Sequence, residues 1–218
     1  MKTKLHSLFI VLVLLAGLAQ TASAAVTFSV TPTAVSNTYT GTITLQIGGL
    51  TNTETVVVQK FLDLNTNGII DGGDLLVQQF TLQDGTSFVI GGVTNFNVPG
   101  DTDGTANGQI TAKLNFHHGD FIQNIAGKYL YKLSSPAGHF GPITNQFAVT
   151  NFPFPQKITG NVISTSTSTT VPNAIILLFP PLRTGHSGPG NPLGSVVVAN
   201  NAGGYAVQMP PGSYVPKL

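Results

Sequence analysis

The chain has 218 residues, with nine Lys or Arg against eight Asp or Glu, no cysteine and no tryptophan. Its basic residues are scattered singly, so there is no basic stripe to attract nucleic acid or an anionic membrane. Without cysteine there are no disulfide staples, and stability has to come from buried area or a bound metal.

Lys2 and Lys4 precede an apolar run from Leu8 to Ala19, and Ala22-Ser23-Ala24 supplies the small residues after which a signal peptidase cuts. Residues 1–24 therefore read as an export signal: the run is too short to span a bilayer and no stop-transfer segment follows. The absence of a cysteine after the run excludes a lipid-modified N-terminus. The expected product is a secreted or cell-surface chain starting near Ala25, with a periplasmic location also compatible and no membrane span after signal removal. Without Lys2 and Lys4 the balance is seven basic to eight acidic residues, a net of about −1.

Thr, Val, Gly, Asn and Pro dominate, and Glu54 is the only glutamate, so the composition predicts an all-β protein. Strands are expected over Phe28 to Val35, Thr42 to Ile47 and Thr55 to Leu62. In the second of these Ile43, Leu45 and Ile47 alternate with polar residues.

Asp63 to Asp74 then reads Asp-Leu-Asn-Thr-Asn-Gly-Ile-Ile-Asp-Gly-Gly-Asp. Oxygen-bearing residues at loop positions 1, 3, 5, 9 and 12, with Gly at 6 and an aliphatic at 8, suit a hard cation wrapped by one short segment. Asp63, Asn65 and Asn67 would offer side-chain oxygens, Ile69 its carbonyl, Asp71 a direct or water-bridged contact and Asp74 the closing carboxylate, with calcium as the structural ion. Asp, Asn and Gly also build ordinary long turns. The match weighs toward metal because it extends to Ile70, Asp71 and Asp74. Asp74 stands where a calcium loop ordinarily has Glu; its shorter reach implies weak affinity, about 10⁻⁴ to 10⁻³ M. The flanks are strand-like, so this is not a helix-loop-helix sensor. The loop resembles the EF-hand type and, more closely, the loops of bacterial surface repeats of the Cna B type, a resemblance that implies an ion bracing a β-domain.

Further strands are expected over Leu75 to Leu82, Ser87 to Val93, Gln109 to Phe116, Lys128 to Leu133 and Gln146 to Thr150. Asp101 to Gly108 is a second Asp-rich loop, which either completes the metal site with Asp101 and Asp103, holds a second ion, or is an ordinary Asx-turn. His117 and His118, adjacent on a strand, would face opposite ways and cannot chelate one metal together. Tyr39, Phe96, Tyr129, Tyr131 and Phe140 are candidates for a sugar-stacking platform, with core packing the weightier reading. Residues 25–152 thus read as one Ig-like antiparallel sandwich of about seven to nine strands.

Pro153 and Pro155 favour an extended connector, so a second unit should start near Lys157. Four blocks follow: Ile158-Thr159-Gly160-Asn161-Val162, Val171 to Leu177, Ala199 to Val207 and Met209 to Tyr214. In that order they resemble a carboxypeptidase regulatory-like domain, most specifically in the Gly-Tyr strand followed by Pro-Pro-Gly-x-Tyr. The resemblance implies a transthyretin-like sandwich, classed with carbohydrate-binding-like folds, over residues 157–218, and it does not imply peptidase activity. Gly204 is expected to allow the turn before Tyr205, and Pro211-Gly212 to feed a last strand at Tyr214. Members of that family continue this strand, so the sequence reads as a fragment or natural truncation.

No zinc-ligand motif occurs, and the Ser beside His in Gly185-His186-Ser187-Gly188 lacks the strand-turn-helix setting of a nucleophile. The expected function is a non-catalytic module, structural or adhesive and calcium-stabilised, that meets carbohydrate or another surface protein. The alternative is a carbohydrate-binding accessory module of an extracellular enzyme.

Overall fold

The computed structural model describes residues 25–90, 93–94, 99–116, 125–179 and 195–218. The export signal, Phe96, His117-His118 and the Gly185 to Gly188 loop lie outside the described residues. Among the described residues there is no helix. The strands are β1 (Thr27–Thr31), β2 (Ala34–Ser36), β3 (Thr42–Gly48), β4 (Thr55–Leu62), β5 (Leu75–Gln83), β6 (Val89–Ile90), β7 (Val93–Thr94) and β8 (Ile110–Asn115). They continue with β9 (Gly127–Ser134), β10 (Ile143–Thr150), β11 (Gln156–Asn161), β12 (Ile175–Phe179), β13 (Ser195–Val198), β14 (Gly204–Met209) and β15 (Val215–Lys217).

Two sheets make the larger sandwich, one ordered β1-β3-β8 and the other β2-β10-β9-β4-β5. Period-2 alternation explains the packing: Ile43, Leu45 and Ile47 of β3 turn inward to meet Val56, Val58 and Leu62 of β4 in a single core. Between Val58 and Leu62 the same inward register is taken by Lys60, which is 1% exposed.

Two expected strands of the first sandwich differ in the structure by more than their end residues. The run Phe28 to Val35 is split at Pro32, where the chain leaves one sheet for the other. Pro has no N–H to continue a ladder, and the chain crosses without reversing, so β2 pairs with β10 in parallel while its neighbours pair antiparallel. The run Ser87 to Val93 is reduced to β6, which pairs with β7 as a two-residue ladder; two glycines interrupt the apolar run in the sequence.

In the C-terminal unit β11 pairs with β14, and β13, β12 and β15 form a second sheet. Ile176 and Leu178 of β12 face a small core with Val162, Val207 and Met209. The alternate residues Ile175 and Leu177, with Val196 and Val198 of β13, pack against the core of the first sandwich. A strand buried on both faces reads as a continuous apolar run, which is why Ile175 to Phe179 and Val196 to Val198 show no polar alternation. The left-handed turn residue before Tyr205 is Gly203, with φ 74°, and not Gly204. A side chain at Gly203 would collide with Val162 and Thr170. Gln156 clamps the Pro211-Gly212 turn through two hydrogen bonds to Gly212. The strand expected at Tyr214 starts one residue later, on β12.

Candidate metal loop and the buried carboxylates

Asp63 directly follows β4, its N–H donating to the Lys128 carbonyl, and the residue is 2% exposed. That carboxylate accepts the N–H of Asn67 on Oδ1 and of Gly68 on Oδ2. Gly68 can take this position because its φ is 77°. Asp74 closes the loop from the other side, accepting N–H groups from Leu64 and Asp71. Asp71 accepts N–H donation from Gly73 on Oδ1 and from the side-chain amides of Asn65 and Asn67 on Oδ2. The Gly73 N–H, followed by the two amides, holds the Asp71 carboxyl below its ordinary range.

The structure therefore brings Asn65, Asn67 and Asp71 together, while Asp63 and Asp74 brace the two ends of the loop. Ile69 is exposed and donates its N–H to the Asn67 side chain. Among the described residues no three His, Cys, Asp or Glu side chains gather as a metal-binding group. Every side-chain ligand atom the loop offers is oxygen, the chemistry a hard cation takes. The carboxylate oxygens of Asp63 and Asp74 and Oδ1 of Asp71 each accept one N–H and keep a second lone pair, whereas Oδ2 of Asp71 already accepts both Asn amides. Beneath the loop a cleft of about 610 Å³ separates Asp63, Leu64 and Thr66 from Thr159, Asn161 and Tyr205 of the C-terminal unit.

Asp101 and Asp103 do not belong to this loop. Asp101 accepts N–H groups from Gly85 and Thr111, and its own N–H reaches the Thr86 carbonyl. This places it where β5 ends, whereas Asp63 and Asp74 lie where β5 begins. The eight residues of β4 span that distance, roughly 26 Å at about 3.3 Å per residue. Burial pushes the Asp101 carboxyl above its ordinary range, with Asp103 beside it adding to the effect against the two N–H donors. Asp103 makes the Asx-turn, accepting from Thr105.

Two further acids, missed in the sequence, share this end. Asp84 is 1% exposed and accepts three backbone N–H groups, from Thr53, Asn107 and Gly108. Glu54 accepts the N–H and hydroxyl of Thr51, the Ser135 hydroxyl and His139 Nδ1 at 3.0 Å. Burial raises the Glu54 carboxyl, but these donors outweigh it and hold it below its ordinary range. Ser135 donates to Glu54 and not to the imidazole, so Ser135, Glu54 and His139 are no nucleophile-base-acid relay. They tie the loop before β4 to the loop after β9. The sequence signal was present in the solitary Glu beside a strand start and in an Asp-Gly after a strand, but the partners lie up to 85 residues away.

Of the aromatic candidates, Tyr129 and Tyr131 are fully buried and Tyr39 and Phe140 pack against the same core, so these four form no exposed platform. Burial alone pushes the Tyr131 hydroxyl far up.

No family model matches the chain, and no curated protein matches it. Among solved structures it is similar to macromomycin, at 16% identity and a TM-score of 0.31, covering 58% of this chain and all of that one. It is also similar to BcpA, the major pilin subunit of Bacillus cereus, at 13% identity and a TM-score of 0.25, covering 88% of this chain. The match spans 57% of that subunit. Similarity at this level carries no argument about function.

Proposed function

We propose that the chain is a non-catalytic secreted or cell-surface module, structural or adhesive, whose Asp63–Asp74 loop takes calcium as a brace. The observation that supports this reading best is the two-sided burial of β12 and β13. Ile175, Leu177, Val196 and Val198 seat the C-terminal unit on the first core, an arrangement suited to bearing load.

The loop lies at that junction, on one wall of the cleft between the units. Asp63, Asn65, Asn67, Asp71, Asp74 and the Ile69 carbonyl would hold the ion, with the two Asn amides turning their oxygens inward in place of the N–H groups now facing Asp71. Calcium supplies charge neutralisation there and no chemistry of turnover.

Calorimetric titration of the whole protein with calcium and with magnesium tests the reading. Calcium binding at a Kd of about 10⁻⁴ to 10⁻³ M is expected. No heat with calcium would remove the ion from the proposal, and robust hydrolytic turnover abolished by one substitution would remove its non-catalytic part.

A further inference from the structure

Two Asn-Gly dipeptides sit at opposite ends of the first sandwich, and both are held in the same arrangement. Asn67 and Gly68 donate their backbone N–H groups to the two carboxylate oxygens of Asp63, at 3.2 and 2.8 Å. Asn107 and Gly108 donate theirs to the two oxygens of Asp84, at 3.3 and 3.0 Å. Each Asn side-chain oxygen accepts the N–H two residues on, from Ile69 and from Gln109. Each side-chain nitrogen donates to an aspartate four residues away, Asp71 or Asp103. The two glycines have φ of 77° and 78°, and both clamping aspartates are buried.

Asn-Gly is the dipeptide most open to attack by a backbone nitrogen on the preceding side chain, because Gly has no Cβ to obstruct the approach. In that reaction the Gly nitrogen gives up its proton and bonds to the Asn Cγ. The Cγ–Nδ2 bond breaks, and the nitrogen leaves as ammonia with that proton, forming a five-membered imide. Water then adds across one of the two ring C–N bonds, leaving Asp or isoaspartate.

We propose that Asn67 and Asn107 are latent deamidation sites and that Asp63 and Asp84 are their guards. A carboxylate accepting the Gly N–H opposes formation of the anionic nitrogen beside it, since like charges repel. The Asn side chain, tied at both its oxygen and its nitrogen, must break two hydrogen bonds before its Cγ reaches that nitrogen. Each guard acts on its own dipeptide, because the two lie at opposite ends of β4.

Incubation at mildly alkaline pH in chelator-containing buffer, followed by peptide mass spectrometry, tests the proposal without any role for calcium. The folded protein should deamidate at least tenfold more slowly at both sites than the same protein in urea. Asp63→Asn should accelerate loss at Asn67 while Asn107 stays slow, and Asp84→Asn should do the reverse. Deamidation of the folded protein at the urea rate, or an Asn67 rate unchanged by Asp63→Asn, overturns the proposal. Should a variant unfold and expose both sites, amide exchange in the unmutated protein decides. Gly68 and Gly108 must then exchange far more slowly than the exposed Gly72, and exchange of either at the Gly72 rate overturns it.

Discussion

The ammonium of Lys60 lies 4.4 Å from the centroid of the Tyr129 ring, in the middle of the larger hydrophobic core. Phe147, Phe116 and Tyr131 add three more rings within 5.7 Å of the same nitrogen. Ring faces carry the negative end of the aromatic quadrupole, so this box offsets part of the cost of removing a cation from water, by about 2 kcal/mol or more when desolvated.

Lys60→Ala should therefore cost about 2–5 kcal/mol, since it loses the cation and leaves a cavity among rings that cannot collapse. Lys60→Met keeps most of the volume and should cost clearly less. Urea unfolding of the two variants measures the difference, and equal losses would mean that shape contributes nothing at this position.

A second expectation concerns acid. Glu54 has a folded-state pKa below its unfolded value, so its contribution is present above the unfolded pKa, near 4.5, and is lost as pH falls through the lower folded value. Asp101 runs the other way: its raised carboxyl favours the folded state where it is protonated and opposes it as pH rises. Glu54→Gln should lower stability by about 1–3 kcal/mol at neutral pH, because one carboxylate oxygen that accepts from two groups is replaced by a donor. It should also flatten the fall in melting temperature below about pH 4.5. A variant curve parallel to the unmutated one at every pH would mean that other carboxylates carry the acid transition.

Third, the face formed by Ile175, Leu177, Val196 and Val198 should join the units energetically. Val196→Asp buries a charge against the first core and should split one calorimetric transition into two, the C-terminal unit melting first. Cleavage in the exposed Asn151 to Pro155 connector should leave the fragments of the unmutated protein associated. Fragments that separate on a sizing column after that cut would contradict the shared interface.

The strands were legible where polar and apolar residues alternate, as in β3 and β8, because period 2 is a local property of the chain. In β4 the burial alternates while the residue types do not: Lys60 falls in the inward register of Val56, Val58 and Leu62, though a lone Lys in a strand ordinarily marks its solvent face. The continuous apolar runs of β12 and β13 gave strands without saying what covers their second face, since that cover comes from a different unit. The Asp63–Asp74 loop could be read because its residues are contiguous. The clamps at Asp84, Asp101 and Glu54 could not, because their partners are backbone N–H groups and side chains brought in from distant turns.

Thermal melting of the unmutated protein in millimolar calcium and in chelator tests the calcium brace most directly. A ligand that binds only the folded state adds RT ln(1 + [L]/Kd), about 0.4–1.4 kcal/mol for concentrations between Kd and ten times Kd. Calcium should therefore raise the melting temperature by a few degrees, and Asp63→Ala should abolish the rise. Superimposed melting curves in calcium and chelator would contradict the brace and leave Asp63 to Asp74 as a turn held by its own hydrogen bonds.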